Sequence, residues 1–484
     1  MKRYIIGLDE GTTSARSVVY DIKTKKIIAI CSKGFKQFYP FDGWVESDGE
    51  EIYKVQISTL NKVIKDSGIS LNEVLGVGIT NQRESVVAWD KTTGKPICPV
   101  IIWQCRRTSE FVNKIPDKIK RVIKEKTGLI ADAYFSATKM KWILDNIPLA
   151  QSLLKENKLC LGTIDSYLAF RLTGKFVTDT TNASRTMLFN INTMSWDNDL
   201  LKYFGIPVNV LPKVVSCNEV VGGLLKYNNI PLCGIIGDQQ SSLLGQACIE
   251  KGSAKATYGT GCFVLLNAGR SVPKNVQNIL TTVGYTLNGK TTYAYEGSVF
   301  SACNAINWLR DNLKIIKSPA ETANLAYSLP NNEGVYFVPA FTGLGAPYWN
   351  SNARGTLVGM TLNTTKNHVV RGVLESIAYN TRAILDEMKK GNVFVKELHV
   401  DGGGSKNEFL LQYQADLSRC NILKSDESEA TVMGAIYCVA LASGIYQLDD
   451  LNTLYKIKNI YKPKMDLVES EKYYNQWQDA VKKC

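Results

Sequence analysis

The chain has 484 residues, of which 45% are apolar, 10% aromatic and 21% charged. This composition is typical of a folded globular protein and excludes a mainly disordered chain. The length predicts two large domains, each able to bury a core without disulfides or metals. Lysine and arginine (57) exceed aspartate and glutamate (45) by 12, a basic balance that favours anionic substrates such as nucleotides. Because the lysines are spread along the chain, we expect no nucleic acid partner.

The cysteines indicate a reducing compartment. The 12 cysteines form no C-x-x-C pair and only 2 histidines are present, which argues against a zinc site. Several cysteines lie inside apolar runs such as AIYCVALA, where a small hydrophobic side chain belongs. The apolar run Tyr4 to Leu8 is too short for a signal peptide, and no run approaches the roughly 18 residues of a membrane span. We therefore expect a cytoplasmic protein without an integral membrane segment.

The N-terminal segment predicts three antiparallel strands joined by polar turns, namely RYIIGL, RSVVYDI and IIAICSKGF. A helix is predicted from about Glu50 to Lys65, where apolar residues recur at helical spacing. The strand VLGVGIT follows and ends at a polar cluster, residues 81–84. This half therefore begins with a β-sheet that is followed by a helix and a further strand.

A similar order recurs after about residue 250. The run AKATYGTGCFVLLNAG predicts two strands around a Gly-Thr-Gly, residues 300–313 and 367–390 predict helices, and VKELHVDGG predicts a strand. Two copies of one α/β design follow from this repetition. We predict an N-terminal domain, residues 1–247, and a C-terminal domain, residues 248–484, with the ligand site in the cleft between them.

The run GYTLNGKT, residues 284–291, satisfies the P-loop pattern. A P-loop leads from a strand into a helix whose first N–H groups bind phosphate, whereas a strand-like segment follows here. The Asn-Gly pair is a strong hairpin signal, so we predict a β-hairpin and no P-loop at this point.

Three turns of small residues each follow an apolar strand and carry an acidic or hydroxyl residue. Backbone N–H groups and hydroxyls in such turns can approach phosphate oxygens, and the carboxylate can hold Mg²⁺ directly or through water. Two of these turns facing one another across a cleft would bind a phosphate chain from both sides. The three turns are GLDEGTTSAR (residues 7–16), GIIGDQQSS (234–242) and HVDGGGSKN (399–407).

In their order and separation these turns resemble the two phosphate loops and the adenosine loop of actin-like sugar kinases. Within that superfamily the chain resembles the FGGY carbohydrate kinases, in particular those that phosphorylate glycerol. The resemblance implies an α/β fold of two ribonuclease-H-like domains, and Mg²⁺- and ATP-dependent conversion of glycerol to sn-glycerol 3-phosphate. The matching runs are GITNQRESVVAWD (78–90), IIWQCRRT (101–108), YFSATKMKWILDN (134–146), TDTTNASRTMLFNI (178–191), GDQQSSLLGQ (237–246), TYGTGCF (257–263) and VPAFTGLGAPYW (338–349).

The resemblance implies seven glycerol-binding residues, which are polar groups for the three hydroxyls and aromatic walls for the C–H face. Taken singly, Arg83 and Glu84 favour a surface ion pair and Trp103 a core residue, whereas the seven residues taken together favour the site. Asp238 is the predicted catalytic base, because a carboxylate in reach can accept the proton of a poorly nucleophilic hydroxyl. The two histidines, His368 and His399, are interpreted as structural. The seven residues are Arg83, Glu84, Trp103, Tyr134, Asp238, Gln239 and Phe263.

The resemblance also implies a nucleotide side. It assigns Thr12, Thr13, Ser14, Arg16 and Thr260 to the phosphates, Asp9 to Mg²⁺, and Cys303, Asn307, Gly403, Gly404 and Asn407 to the remainder of the nucleotide site. Three positions depart from the family pattern, which usually has Gln at residue 10, Gly at 303 and Gln at 307. Glu10 is expected to add a negative charge beside the phosphates, and Cys303 to shift the nucleotide.

Two alternatives remain open at this point. The chain could be an FGGY kinase for another polyol or sugar, although the complete set of seven residues favours glycerol. It could also be a weakly active regulatory protein that binds nucleotide and glycerol, an interpretation motivated by the altered nucleotide positions. The family further suggests a homodimer or homotetramer.

Overall fold

Two mixed β-sheets, one in each half of the chain, organise the fold. The computed structural model describes residues 2–426 and 429–484. The strands of the first half are β1 Tyr4–Glu10, β2 Ser14–Asp21, β3 Lys26–Gly34, β4 Gln37–Phe38, β5 Glu46–Ser47, β6 Val74–Asn81, β7 Val86–Asp90, β8 Val100–Ile101, β9 Leu159–Thr163, β10 Val177–Asp179, β11 Phe189–Asn190, β12 Ser195–Trp196, β13 Lys213–Val215, β14 Gly222–Gly223 and β15 Pro231–Gly237. Those of the second half are β16 Ser253–Tyr258, β17 Cys262–Gly269, β18 Leu280–Leu287, β19 Lys290–Val299, β20 Tyr336–Val338, β21 Thr356–Val358, β22 Glu397–Asp401, β23 Asn421–Ser425 and β24 Ile457–Tyr461.

Helices cover and connect these sheets. The α-helices are α1 Gly49–Ser67, α2 Ser109–Asn113, α3 Asp117–Thr127, α4 Ser136–Asn146, α5 Pro148–Lys155, α6 Ile164–Thr173, α7 Thr180–Ala183, α8 Asn198–Phe204, α9 Asp238–Gly245, α10 Asn304–Asp311, α11 Thr322–Tyr327, α12 Lys366–Lys389, α13 Glu408–Ser418, α14 Ala430–Ala442, α15 Leu451–Leu454 and α16 Leu467–Val481. Short 3-10 helices span Leu71–Glu73, Val208–Val210, Pro319–Glu321, Gly403–Lys406 and Leu448–Asp450.

The two large sheets share one strand topology. In the first, β1 pairs antiparallel with β2 and β2 with β3, while β6 and then β15 extend the other side in parallel. In the second, β16 pairs antiparallel with β17 and β17 with β19, while β22 and β23 extend the other side in parallel. This correspondence confirms the predicted α/β class and the two copies of one design.

Helices α9 and α14 cross with their backbones in close contact and connect the two halves. Helix α9 follows β15 and packs on strands of both sheets, and α14, from the second half, packs on β1, β6 and β15 of the first. A Cβ atom at Gly245 would lie 1.9 Å from the carbonyl oxygen of Ala430, and one at Gly434 would lie 2.0 Å from that of Ser241. Only glycine permits so close a crossing. The predicted boundary after residue 247 stays a prediction, and Asp238, which opens α9, lies at the junction of the halves.

Several sequence-based expectations can be compared directly with the elements. The Asn-Gly hairpin is confirmed, because β18 and β19 pair antiparallel around Asn288 and Gly289, whose φ angles are 49° and 74°. The helix expected from residue 300 begins only at Asn304, so its predicted start was wrong. The Ala302 N–H instead donates to the carbonyl oxygen of Thr260. No helix within residues 2–426 and 429–484 is long and apolar enough to cross a membrane.

Candidate active site

The side chain of Arg83 forms the centre of a buried charge cluster between the two halves. It follows strand β6, and its Nη1 and Nη2 donate to Glu296 Oε2 at 2.7 Å and Oε1 at 2.9 Å. Its Nη1 also donates to Gln240 Oε1 at 3.0 Å, and its Nε lies 3.1 Å from Asp238 Oδ1. Because Glu296 belongs to β19 and Arg83 to the first half, this guanidinium ties the two sheets together.

Glu84 and Arg185 complete the cluster. Glu84 has a φ of 60°, in the left-handed region, and its Oε1 accepts from Arg185 Nε at 2.6 Å. Arg185 Nη2 donates to Glu296 Oε1 at 3.1 Å. Burial raises the pKa of Glu84. At Glu296 burial acts in the same direction, but the guanidiniums of Arg185 and Arg83 outweigh it and hold the pKa at about 2. Two buried positive charges are thus balanced by two buried carboxylates.

Asp238 is the partly exposed carboxylate of this cluster. Its side chain is 29% exposed, whereas those of Arg83, Glu84 and Glu296 are at most 2% exposed. The Gln239 N–H donates to Asp238 Oδ1 at 2.7 Å, and Gln239 Nε2 donates to Oδ2 at 3.2 Å. Lys255, in turn, donates to Gln239 Oε1. The exposed part of Asp238 leaves a carboxylate that a substrate hydroxyl can reach.

Aromatic side chains form a wall beside this carboxylate cluster. The rings of Trp103 and Tyr134 meet edge to face with centroids 5.6 Å apart, and Trp103 Nε1 donates to Thr12 Oγ1 at 3.1 Å. The guanidinium of Arg185 lies 5.7 Å from the Tyr134 ring centroid. Phe263 is half-buried on β17 and, among the described residues, makes no ring contact with Trp103 or Tyr134. Trp103 therefore links the predicted polyol residues to the first turn.

The first small-residue turn joins β1 to β2. Its backbone is closed by the Gly11 N–H, which donates to the Ser14 carbonyl oxygen at 2.9 Å, and the Phe35 N–H donates to the Thr13 carbonyl oxygen at 3.0 Å. The Thr13 side chain is exposed, and Thr12 and Ser14 are half-buried. The turn therefore has a hydrogen-bonded backbone and one exposed side chain, that of Thr13.

Asp9 and Arg16 flank this turn on neighbouring strands, where they are register partners. Arg16 forms an ion pair with Glu429. Asp9 is half-buried, and burial, opposed by Arg16 and reinforced by Asp238 and Glu429, raises its pKa to about 7. A carboxylate near two other acidic residues, Asp238 and Glu429, is a type of group that binds Mg²⁺.

The Gly-Thr-Gly turn between β16 and β17, residues 259–261, lies against Cys303. The Thr260 carbonyl oxygen accepts from the Ala302 N–H at 3.0 Å, and the Gly259 carbonyl oxygen accepts from the Cys303 N–H at 3.2 Å. A Cβ atom at Gly404 would lie 2.6 Å from Cys303 Sγ. Cys303 thus fills the space between this turn and the third turn, while the Thr260 side chain is exposed.

The third turn carries the other predicted nucleotide residues. Gly403 is exposed, and a Cβ atom there would meet no atom within 4 Å. Asn407 caps helix α13, since its Oδ1 accepts from the Leu410 N–H at 3.0 Å, and its Nδ2 donates to Thr322 Oγ1 at 2.9 Å. Asn307 lies one helical turn after Cys303 and is exposed. The structure therefore gathers these residues around an open surface, with the Asn407 side chain occupied by helix capping.

Glu10 differs from the expectation drawn from its sequence position. Its side chain is fully buried, and Gln82 Nε2 donates to its Oε1 at 3.2 Å. Its Oε2 has no hydrogen-bond partner among the described residues. Burial raises the pKa of Glu10 well above its usual value, which favours the neutral acid. The extra negative charge that the sequence suggested beside the phosphates is therefore not expected.

Sequence reasoning missed the groups that hold Arg83 and Asp238 in place, namely Glu296, Arg185, Gln240 and Lys255. A signal for two of them was present in the sequence. Arg185 lies inside the matched run TDTTNASRTMLFNI, and Glu296 lies in the strand-like run TTYAYEG, which belongs to a strand whose residues 292–299 are buried. A charged residue in such a strand needs a buried partner, which points to the cluster but does not identify it.

The comparisons with known proteins bear on the whole chain. The N-terminal domain of the FGGY family of carbohydrate kinases matches residues 4–245, and its C-terminal domain matches residues 254–443. The chain belongs to the FGGY family of carbohydrate kinases. Family membership and the class of enzyme, both predicted from the sequence, are confirmed.

Individual FGGY relatives match over nearly their full lengths. A glycerol kinase of Thermococcus onnurineus is 47% identical, covering 100% of this chain and 98% of that protein. Glycerol kinase 2 of Thermotoga maritima is 44% identical, covering 99% and 98%. Among solved structures, glycerol kinase from Plasmodium falciparum with ADP superposes with a TM-score of 0.93 at 36% identity, covering 99% of this chain and 98% of the other. Gluconate kinase from Lactobacillus acidophilus, with a TM-score of 0.88 at 24% identity over 99% and 97%, shares the fold.

Proposed function

We propose that this FGGY kinase phosphorylates glycerol with ATP to give sn-glycerol 3-phosphate and ADP. Relatives named glycerol kinase at 42–47% identity support the substrate. The observation that carries the proposal is the cluster around Arg83, in which Arg83, Arg185, Glu84 and Glu296 are buried and paired and the Asp238 carboxylate is partly exposed. A small molecule with several hydroxyls suits such a pocket, because carboxylate, guanidinium and carboxamide groups can satisfy each hydroxyl.

The proposed reaction requires one residue to accept the proton of the attacking hydroxyl. Asp238 accepts the proton of a terminal hydroxyl while that oxygen forms a bond to the γ-phosphorus and the bond to the β-phosphate oxygen breaks. Arg83 and Gln239 orient the carboxylate, and Glu84 and Tyr134 are the proposed partners of the other hydroxyls. Trp103 and Phe263 are the proposed apolar walls. After transfer, the proton remains on Asp238 and the charge gained by ADP balances it.

The residues on the nucleotide side fit a magnesium nucleotide. Asp9 is a half-buried carboxylate beside Arg16, and Thr13 and Thr260 are exposed residues next to hydrogen-bonded backbone turns. Gly403 is exposed and has no side chain, and we propose that adenosine binds on this surface, together with Gly404, Asn307 and Asn407. Mg²⁺ held near Asp9 would neutralise charge on the phosphate oxygens. Thr12, Ser14 and Arg16 are the further proposed phosphate partners.

The cytoplasmic location and the homodimeric or homotetrameric state stay predictions. The thiols are consistent with a reducing compartment, since all 12 cysteines, which lie in the described part of the chain, are free and eight of them are buried.

The proposed function is tested by ADP release from Mg-ATP with glycerol and, separately, with erythritol, xylulose, ribulose, gluconate and dihydroxyacetone. We expect kcat/KM for glycerol to exceed that for each other compound by at least about 100-fold. A higher value for another compound would assign a different FGGY kinase activity. Nucleotide binding without turnover on any compound would favour the regulatory alternative.

A further inference from the structure

We propose that Glu296, on the second sheet, is a positioning residue for the polyol pocket of the first half. It holds the two terminal nitrogens of the Arg83 guanidinium, so that the Nε atom is the one that faces Asp238. The inference rests on the proposed function and deepens it, because it names the group that joins the two halves at the substrate. Glu296 itself is 0% exposed and is not expected to contact the polyol.

The contacts of Glu296 leave Arg83 little freedom to turn. Both carboxylate oxygens of Glu296 receive an N–H of Arg83, at 2.7 Å and 2.9 Å, which is the bidentate arrangement that fixes a guanidinium plane. Arg185 donates to the same carboxylate at 3.1 Å and so restrains it from another side. The orientation of Arg83 is therefore set by a group of the opposite half.

The backbone of Glu296 is equally well fixed. Strand β19 lies between β17 and β18, and Glu296 is the register partner of Leu265 on one side and of Leu280 on the other. The next residue, Gly297, packs so tightly on α12 that an added Cβ would lie 2.5 Å from Ile384. A carboxylate on a central strand provides a rigid anchor for a side chain that comes from a turn.

Loss of the Glu296 carboxylate would change the hydrogen bonds that the proposed base, Asp238, accepts from Arg83. Arg83 Nε already lies 3.1 Å from Asp238 Oδ1. Without the Glu296 charge, the two terminal nitrogens of Arg83 could turn toward Asp238 and engage both of its oxygens. The carboxylate would then be less able to accept the hydroxyl proton, and the guanidinium would no longer be available to the polyol. Both glycerol binding and turnover should suffer, while ATP binding should not.

The test uses Glu296→Gln, which keeps the size of the side chain and removes its charge. The matched control is Glu375→Gln, because Glu375 is also buried in the second half and pairs with Arg371 at 2.6 Å, with none of the predicted polyol residues among its partners. We expect Glu296→Gln to raise the KM for glycerol and lower kcat by at least tenfold each, with the KM for ATP changed less than threefold. We expect Glu375→Gln to leave all three constants within threefold.

A double substitution distinguishes a positioning role of Glu296 from a general effect on the stability of the protein. In an Arg83→Gln background, Glu296→Gln should lower kcat/KM for glycerol by less than threefold further, since the side chain that Glu296 positions is gone. An equal loss in both backgrounds, or an equal effect of Glu296→Gln and Glu375→Gln on the KM for glycerol, would overturn the inference. If Glu296→Gln does not fold, Glu296→Asp and Glu375→Asp allow the same comparison.

Failure of the proposed function would be visible separately in the unmodified protein. If that protein prefers another polyol, the glycerol assignment fails, and the variants are then compared with the preferred polyol. Calorimetric titration of the polyol gives a Kd that does not depend on turnover, and the same tenfold weakening is expected there. If the unmodified protein neither binds nor phosphorylates any polyol of the panel, both proposals fail.

Discussion

The residues predicted to bind the polyol and those predicted to bind the nucleotide, here called the polyol side and the nucleotide side, differ in burial and in charge pairing. On the polyol side, Arg83, Glu84 and Glu296 are buried and already paired with one another and with Arg185. On the nucleotide side, the side chains that the family resemblance assigns to phosphate, such as Thr13 and Thr260, are exposed. Buried charges must be paired in the folded protein, because an unpaired one is strongly destabilising. Phosphates are charged, so hydroxyl and N–H groups in the turns can stay hydrated before the nucleotide binds and then donate to the phosphate oxygens.

This contrast has a consequence for specificity. A small neutral polyol offers little charge with which to organise a pocket, so the protein must orient the recognising groups beforehand. A nucleotide with Mg²⁺ carries charge that can orient the exposed side chains of the turns when it binds. We therefore expect substitutions of the buried, paired residues on the polyol side to affect both folding and turnover, and those of exposed residues on the nucleotide side to affect ligand affinity alone.

The largest effect is expected for Asp238→Asn, which removes the proposed base without changing its size. We expect kcat to fall by about 10³–10⁴-fold, because general base catalysis contributes up to that amount. Folding should be retained, since the Asp238 side chain is 29% exposed and its removal leaves the Arg83–Glu296 pair intact. Steady-state ADP release and a melting curve measure both properties. Turnover near that of the unmodified protein would exclude Asp238 as the base.

Arg83→Met tests the claim that the polyol side is paired before ligand binds. The substitution leaves the fully buried Glu296 with Arg185 as its remaining cationic partner. We expect the free energy of unfolding to fall by about 3–5 kcal/mol, the usual result of breaking a buried ion pair on one side. Denaturant unfolding in the absence of ligand gives this value. A loss below about 1 kcal/mol would mean that the cluster contributes little before the substrate binds.

Thr13→Ala tests the opposite expectation on the nucleotide side. Loss of one hydrogen bond to a charged phosphate is worth about 1.5–3 kcal/mol, so the KM for ATP should rise about tenfold or more. The free energy of unfolding should change by less than about 0.5 kcal/mol, because Thr13 is exposed. Thr193→Ala, at another exposed turn, is the matched control. An unchanged KM for ATP would remove Thr13 from the phosphate contacts.

A smaller effect, on pH dependence, is expected from Lys139 beneath the polyol side. The residue is 1% exposed, and its ammonium donates to the carbonyl oxygens of Ala133 at 2.8 Å, Phe135 at 3.2 Å and Tyr134. Burial lowers the pKa of Lys139 to about 7 from 10.5. Between these values the unfolded chain binds more protons than the folded protein, so stability should rise with pH, by at most about 1.4 kcal/mol per unit.

Lys139→Met removes this titration. From pH 7 to pH 9, the unmodified protein should gain at least about 1 kcal/mol in unfolding free energy relative to the variant, because the buried ammonium loses its proton. Urea unfolding of both proteins at pH 7, 8 and 9 measures the difference. A difference that does not change with pH would show that Lys139 keeps its proton in the folded state throughout this range.

The elements and the ends of strands were predictable from the sequence, because periodicity and turn residues act locally. The antiparallel opening, the Asn288-Gly289 hairpin and the strand that leads to Asp238 are of this kind. The partners across the junction were not predictable. The contact between Glu296 and Arg83 depends on how two sheets that are distant in sequence pack together. The burial of Glu10 depends on the core around it. The late start of helix α10 likewise follows from contacts with a turn distant in sequence.

Titration of glycerol into the nucleotide-free protein by calorimetry tests the account most directly. A polyol side that is assembled before any ligand arrives predicts one glycerol bound per chain without nucleotide, with a Kd that changes less than tenfold when a non-hydrolysable ATP analogue is present. Erythritol, xylulose and gluconate should bind at least tenfold more weakly. Glycerol binding that appears only with nucleotide, or tighter binding of another polyol, would contradict the account.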